Sequence, residues 1–165
     1  MYTTKIGHAH LKVRDLDRAI EFYTKFLRLH VTEKVGDRYV FLTAGCMHHE
    51  IALQCVGPNA IGQHPYGTGL YHIAFEVPDR RALAEAFVTL NDAGITVAAI
   101  DHLISWALYF DDPDGNGLEI YWDTRTEPGG MRLWRGRNIP LPESKLRAIL
   151  TEADGNCGEI TELPD

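Results

Sequence analysis

A pattern of His, Val and Asp near the start of the chain recurs 64 positions later, and this duplication constrains the fold more than any other feature. His8-Ala9-His10-Leu11-Lys12-Val13-Arg14-Asp15 aligns with His72-Ile73-Ala74-Phe75-Glu76-Val77-Pro78-Asp79. In both copies Val follows the histidine by five residues and Asp by seven. After each Asp the apolar spacing turns helical. Leu16, Ala19, Ile20, Tyr23, Phe26 and Leu27 share one face in the first copy, and Leu83, Phe87, Leu90 and Ala93 in the second. Asp15 and Asp79 stand where an N-cap carboxylate accepts from first-turn amides. Asp92-Ala93-Gly94 gives the second helix a glycine stop, whereas the first ends less cleanly at Leu27-Arg28.

Strand-like runs follow each helix. They cover residues 31–35, 39–43 and 49–56 in the first copy, and 96–100, 106–110 and 118–122 in the second. Asp112-Pro113-Asp114-Gly115-Asn116-Gly117 makes a sharp turn before the last of them. Each unit therefore reads β-α-β-β-β. One such unit leaves a sheet face uncovered, so two must pair to bury it. The expected fold is α+β, with two tandem βαβββ modules forming a curved mixed sheet around a metal-binding cleft. The first module spans residues 1–56, a linker 57–69, the second module 70–123 and a C-terminal extension 124–165. The extension has no counterpart in either copy. Pro142 opens a short helix over 143–153, and the segment before it reads as a wrap over the domain or an oligomer contact.

The formal net charge is −7, with Lys and Arg scattered, so a phosphate backbone would be repelled and no nucleic-acid partner is expected. Cys46, Cys55 and Cys157 are an odd count without zinc-finger spacing, which fits a reducing compartment. The start of the chain lacks the apolar run of a signal peptide, and no stretch approaches the roughly 18 apolar residues of a membrane helix. A cytoplasmic protein with no membrane contact is the expectation.

Eight histidines are present, and His8, His10, His48, His49, His72 and His102 are among those on or beside expected strands. An isolated histidine usually has no special role. His8 and His72, however, are equivalent points of the two repeats, and pseudo-symmetry brings both to one cleft. Glu119, in Leu118-Glu119-Ile120-Tyr121-Trp122, adds a carboxylate among large apolar residues. Buried there without a partner it would cost several kcal/mol, of the order known for unpaired buried charge. Two imidazoles and a carboxylate with open positions describe a non-haem Fe(II) site, and also suit Mn, Ni or Zn. His10 shares a face with His8 and is a substitute ligand.

Gly7-His8, Val13-Arg14-Asp15-Leu16-Asp17-Arg18-Ala19, Phe22-Tyr23, Tyr71-His72-Ile73-Ala74-Phe75 and Asp112 through Glu119 together resemble the vicinal oxygen chelate superfamily, over residues 5 to 123. That superfamily includes glyoxalase I, bleomycin- and fosfomycin-resistance proteins and type I extradiol dioxygenases. The resemblance puts its metal ligands on His8, His72 and Glu119. His48-His49-Glu50-Ile51-Ala52-Leu53 is similar to the dioxygenase strand that supplies an acid/base histidine, here His49. Tyr109, ten residues before Glu119, stands where those enzymes place a substrate-binding tyrosine. His102 lies in the stretch that carries their further histidine, which they place a little earlier. The resemblance thus implies an Fe(II) enzyme that cleaves a small aromatic diol with O2, closest to small catechol-type dioxygenases. A homo-oligomer, dimer or larger, is expected, its modules paired within one chain or swapped between two.

Two rivals remain open in the sequence. Glu50 is the repeat equivalent of Glu119, and as a fourth ligand it would suit Ni, Zn, Co or Mn in a glyoxalase- or epimerase-like isomerase. Strand register separates the readings, because His49 facing inward turns Glu50 outward unless a bulge intervenes. The second rival is a metal-free binding or resistance module.

Overall fold

The computed structural model describes residues 2–64 and 66–152. Cys157 and the last residue of the expected terminal helix, Ala153, lie outside the described residues. Elements run β1 (Ala9–Val13), α1 (Leu16–Phe26), β2 (His30–Val35), β3 (Tyr39–Thr43), β4 (Ile51–Cys55), β5 (Ile73–Glu76), α2 (Arg80–Asp92), β6 (Ala98–Asp101), β7 (Ser105–Asp111), β8 (Gly117–Asp123), β9 (Ile139–Pro140) and α3 (Glu143–Thr151).

Helices α1 and α2 begin as their sequences dictate. The Asp15 carboxylate accepts from the Arg18 amide at 2.9 Å, and that of Asp79 from the Ala82 amide at 2.8 Å. Their ends differ. Gly94 closes α2 at φ +78°, a conformation glycine adopts without strain, whereas Arg28 takes the same role after α1 at φ +56°. The amides of Leu27 and Leu29 both turn back onto the Tyr23 carbonyl across that residue.

Two mixed sheets result. The first has order β1-β4-β3-β2 and the second β5-β8-β7-β6-β9, so the repeat is exact in topology until the extension adds β9 beside β6. In each sheet the first strand lies parallel to the last of its unit, and the other pairs are antiparallel. The α+β fold of two βαβββ modules is present, its strands arranged as two mixed sheets. The extension wraps the second unit. Ile139 and Pro140 pair with Asp101 and Ile100, and α3 buries Leu146 and Ile149.

One hydrophobic cluster spans both units, running from Leu11, Val13, Leu16 and Tyr23 through Leu42 and Leu53 to Leu83, Leu90, Leu108, Leu118 and Leu146. The turn before β8 ties the units together. Tyr23 donates to Asp112 at 3.1 Å, and the Arg14 amide, Arg14 side chain and Arg18 side chain all reach Asp114, at 3.0, 3.0 and 2.6 Å. Asn116 donates to the Lys12 carbonyl at 3.2 Å. Burial works to raise the Asp114 carboxyl, but hydrogen bonds from the Arg14 amide, Arg18 and the Arg14 side chain outweigh it and hold the group below the usual carboxylate range. Among the described residues, no helix is long and apolar enough to cross a membrane.

Candidate metal centre and active site

The second sheet assembles half of the expected constellation. Glu119 on β8 lies opposite Tyr109 on β7 and opposite Ala74 on β5, two residues beyond His72. Strand alternation therefore places His72, Glu119 and Tyr109 on one face. His72 itself stands just before β5, not within it. At the strand start, Gly117 permits a close approach: a Cβ there would lie 2.2 Å from the Tyr71 carbonyl oxygen.

His72 Nε2 is 2.8 Å from Glu119 Oε2, with the Glu119 side chain about nine-tenths buried. Two ligands at right angles, each about 2.1 Å from one ion, stand about 3.0 Å apart. The observed spacing and the donor types fit two adjacent ligands of a divalent ion. His72 Nδ1 is buried without a hydrogen-bond partner among the described residues.

Tyr109 and His102 continue this half. The Tyr109 hydroxyl is 2.9 Å from His102 Nε2, and His102 Nδ1 is 3.2 Å from the Arg137 carbonyl. A carbonyl only accepts, so His102 Nδ1 donates to it; a neutral His102 then accepts the Tyr109 proton at Nε2. Trp134 packs edge-on against the His102 ring at 5.9 Å. Burial, then the neighbouring Glu119 carboxylate, push the Tyr109 phenol up to about 12. A cavity of about 400 Å³ opens beside His72 and Tyr109, lined also by Tyr71, Thr96 and Ala98.

The first sheet carries the rest. His8 is exposed and precedes β1, with its ring 4.6 Å from that of His49. His49 falls in the turn before β4, two residues short of the strand expected to contain it. The Glu50 backbone still bonds to the Leu42 carbonyl and the Ala9 amide, at 3.0 and 2.8 Å, while its side chain turns away. The Glu50 carboxylate is turned back to accept from the Ala44 amide at 3.1 Å, closing the turn on itself. His49 stands beside His8, while the Glu50 carboxylate is taken up by the Ala44 amide. Desolvation, then the nearby His8 and His48 rings, hold the His49 imidazole below its ordinary value, with Glu50 opposing. His10 instead meets Tyr39, edge to ring, at 6.1 Å. A larger cavity, of about 570 Å³, follows β1 past His10, Lys12 and Arg14 and is lined by neither His8 nor His72.

The two halves are not joined within the described chain. His72 and Glu119 meet; His8 stands with His49 on the other sheet, and among the described residues no three His, Cys, Asp or Glu side chains gather to hold one ion. Several supporting residues escaped the sequence reading. The Arg137 carbonyl and Trp134 come from the extension, where no repeat pointed to them, and Glu33 and Thr32 reach the His48-His49 turn through a strand irregularity that carries no sequence signature.

Residues 5–120 match the family model described as Glyoxalase/Bleomycin resistance protein/Dioxygenase superfamily. Over 121 residues the chain is 40% identical to a catechol-2,3-dioxygenase of Bacillus subtilis (strain 168), covering 73% of this chain and 42% of that protein. It is 32% identical over 130 residues to biphenyl-2,3-diol 1,2-dioxygenase 3 of Rhodococcus globerulus, covering 76% of this chain and 67% of that one. The chain thus spans less than half the length of the first relative. Among solved structures, a lactoylglutathione lyase from Agrobacterium tumefaciens superposes with a TM-score of 0.58 at 22% identity, over 76% of this chain and 98% of that one.

Proposed function

Because the chain belongs to the Glyoxalase/Bleomycin resistance protein/Dioxygenase superfamily, we propose that it is an Fe(II)-dependent extradiol dioxygenase, opening the ring of a small catechol-type diol with O2. Names of two relatives specify aromatic diols, and both are ring dioxygenases. The observation that carries the reading is the His49 ring resting 4.6 Å from His8 while the Glu50 carboxylate is committed to the Ala44 amide. An isomerase of the glyoxalase type would need Glu50 where His49 stands.

His8, His72 and Glu119 would hold the iron. Bound there, ferrous iron would supply Lewis-acid and redox chemistry for a diol and O2. The chain's own residues do the rest. His49 takes a proton from a diol hydroxyl and later returns one, as an imidazole does near neutral pH. Tyr109, held by His102, orients the substrate oxygen with its hydroxyl. The cavity beside His72 and Tyr109, of about 400 Å³, admits a ligand of one ring with a modest substituent.

We also read the site as shared between two copies. His8 and His49 stand at the edge of one sheet and His72, Glu119 and Tyr109 beside or on the other, so a homodimer that sets one chain's first sheet against its partner's second sheet completes the trio twice. Exposed apolar residues flank both histidines: Ile6 at 93% exposure near His8, and Leu70 and Tyr71 at 53% and 87% before His72. Covering such residues is what an interface does.

The test is anaerobic reconstitution with Fe(II), then catechol and air. A yellow ring-opened product with O2 uptake is expected, abolished in His49→Ala. Isomerisation of a hemithioacetal by the Ni-, Zn-, Co- or Mn-loaded protein without O2, or tight ligand binding in the absence of any metal, would overturn the reading.

A further inference from the structure

The register of β2 against β3 slips at one residue. Val31 pairs with Leu42 and Glu33 with Phe41, which leaves Thr32 between them without a partner. Such a bulge re-aims the side chains beside it. Here both Thr32 and Glu33 reach the turn that carries His48 and His49. The Thr32 hydroxyl is 2.6 Å from the His48 carbonyl and 3.2 Å from that of Phe41, and donates to the nearer. The Glu33 carboxylate is 3.1 Å from His48 Nε2. His48 Nδ1 is 2.8 Å from His49 Nδ1. Phe41 lies beneath both rings, at 5.4 Å from His48 and 4.9 Å from His49.

We propose that this bulge fixes the tautomer of His49, with Glu33 and His48 acting as positioning residues that leave His49 Nε2 as the nitrogen bearing the lone pair. The argument follows from donors and acceptors alone. An ionised carboxylate only accepts, so the hydrogen between Glu33 and His48 sits on His48 Nε2. A neutral His48 then offers a lone pair at Nδ1. The hydrogen between the two Nδ1 atoms must therefore belong to His49, and a neutral His49 carries its lone pair on Nε2.

Glu33 and His48 are each about half exposed, and that is enough for the task. The chain of bonds need not hold the fold; it must only choose between two nearly equivalent forms of one ring. A bias of about fivefold, of the order one net hydrogen bond supplies, decides which nitrogen presents the lone pair. A base locked in the wrong tautomer cannot accept a proton at the required atom, which is why such orienting partners matter beyond their strength. The positioning role rests on the ring-cleaving reading above, in which His49 moves protons; the tautomer does not.

Long-range ¹H–¹⁵N correlation spectra of the metal-free chain test the inference near pH 8.5, about two units above the pKa of a free imidazole. The wild type should show His49 with a pyrrole-type Nδ1 and a pyridine-type Nε2. His48→Phe, which keeps a ring over Phe41, and Glu33→Ala, on an exposed strand, should both move His49 toward the opposite tautomer. In the Fe(II)-loaded protein both variants should lose roughly tenfold in kcat with KM changed less than about twofold. A wild-type His49 already protonated at Nε2, or one whose signals ignore both variants, overturns the proposal. So does a tautomer that shifts while kcat stays at the wild-type value. Expected spectra in a protein that never cleaves a diol would keep the lock and overturn the proposed reaction instead.

Discussion

Arg28 adopts φ +56° on an exposed residue at the end of α1, where an L side chain pays a steric cost that glycine does not. Arg28→Gly should therefore raise stability by about 0.5–1 kcal/mol, after allowing for the greater freedom of glycine in the unfolded chain. A thermal melt should rise by about 1–3 °C, the shift expected for a chain of this size. At this scale much was legible in advance. Asp15, Asp79 and Gly94 act on amides within a few residues of themselves, and local chemistry of that kind is written in neighbouring letters. The placement of His49 was less legible. Its strand was expected to begin at residue 49, but β4 begins at Ile51, and the Glu50 carboxylate bonds to the Ala44 amide. A side-chain bond to an amide six residues back leaves no periodic trace.

Among the elements, the turn between β7 and β8 joins the two modules through one carboxylate. The Asp114 side chain is 5% exposed and faces Arg14 and Arg18. Its pKa is held low in the folded protein, so its stabilising effect is full above the unfolded value, about 3.9, and fades as pH falls through the lower folded value. Asp114→Asn should cost about 1–2 kcal/mol at pH 7, discounted because both arginines are partly exposed to solvent. The gap between variant and wild type in urea unfolding should narrow below about pH 4. The motif containing Asp114 was visible as a sharp turn, yet its cross-module partners were not, since hydrophobic period describes neighbours in the chain and says nothing of residues 100 positions away. The same reason hid β9. Two residues, one of them Pro140, carry no strand pattern, and only their pairing with β6 makes them one.

For the molecule as a whole, duplication foretold two like modules, and both sheets carry the same strand order until β9. It did not say how the modules would meet. Within the described chain they share a core through their helices, while the candidate ligands divide between the sheets. If two copies complete each site, His8→Ala and Glu119→Ala chains are each inactive alone, yet mixing and reassembling them should restore about a quarter of wild-type turnover. Half of the randomly formed dimers would then be hybrids, each with one intact site and one doubly impaired site. Sites built within single chains would give no recovery on mixing.

Anaerobic titration with Fe(II), followed by the bound-metal stoichiometry of wild type, His8→Ala, His72→Ala and Glu119→Ala, tests the proposed centre most directly. One ion per chain is expected for the wild type, with affinity falling by roughly 100-fold or more in each variant, since each removes one of three protein ligands. Variants that bind iron as tightly as the wild type would contradict the assignment of all three.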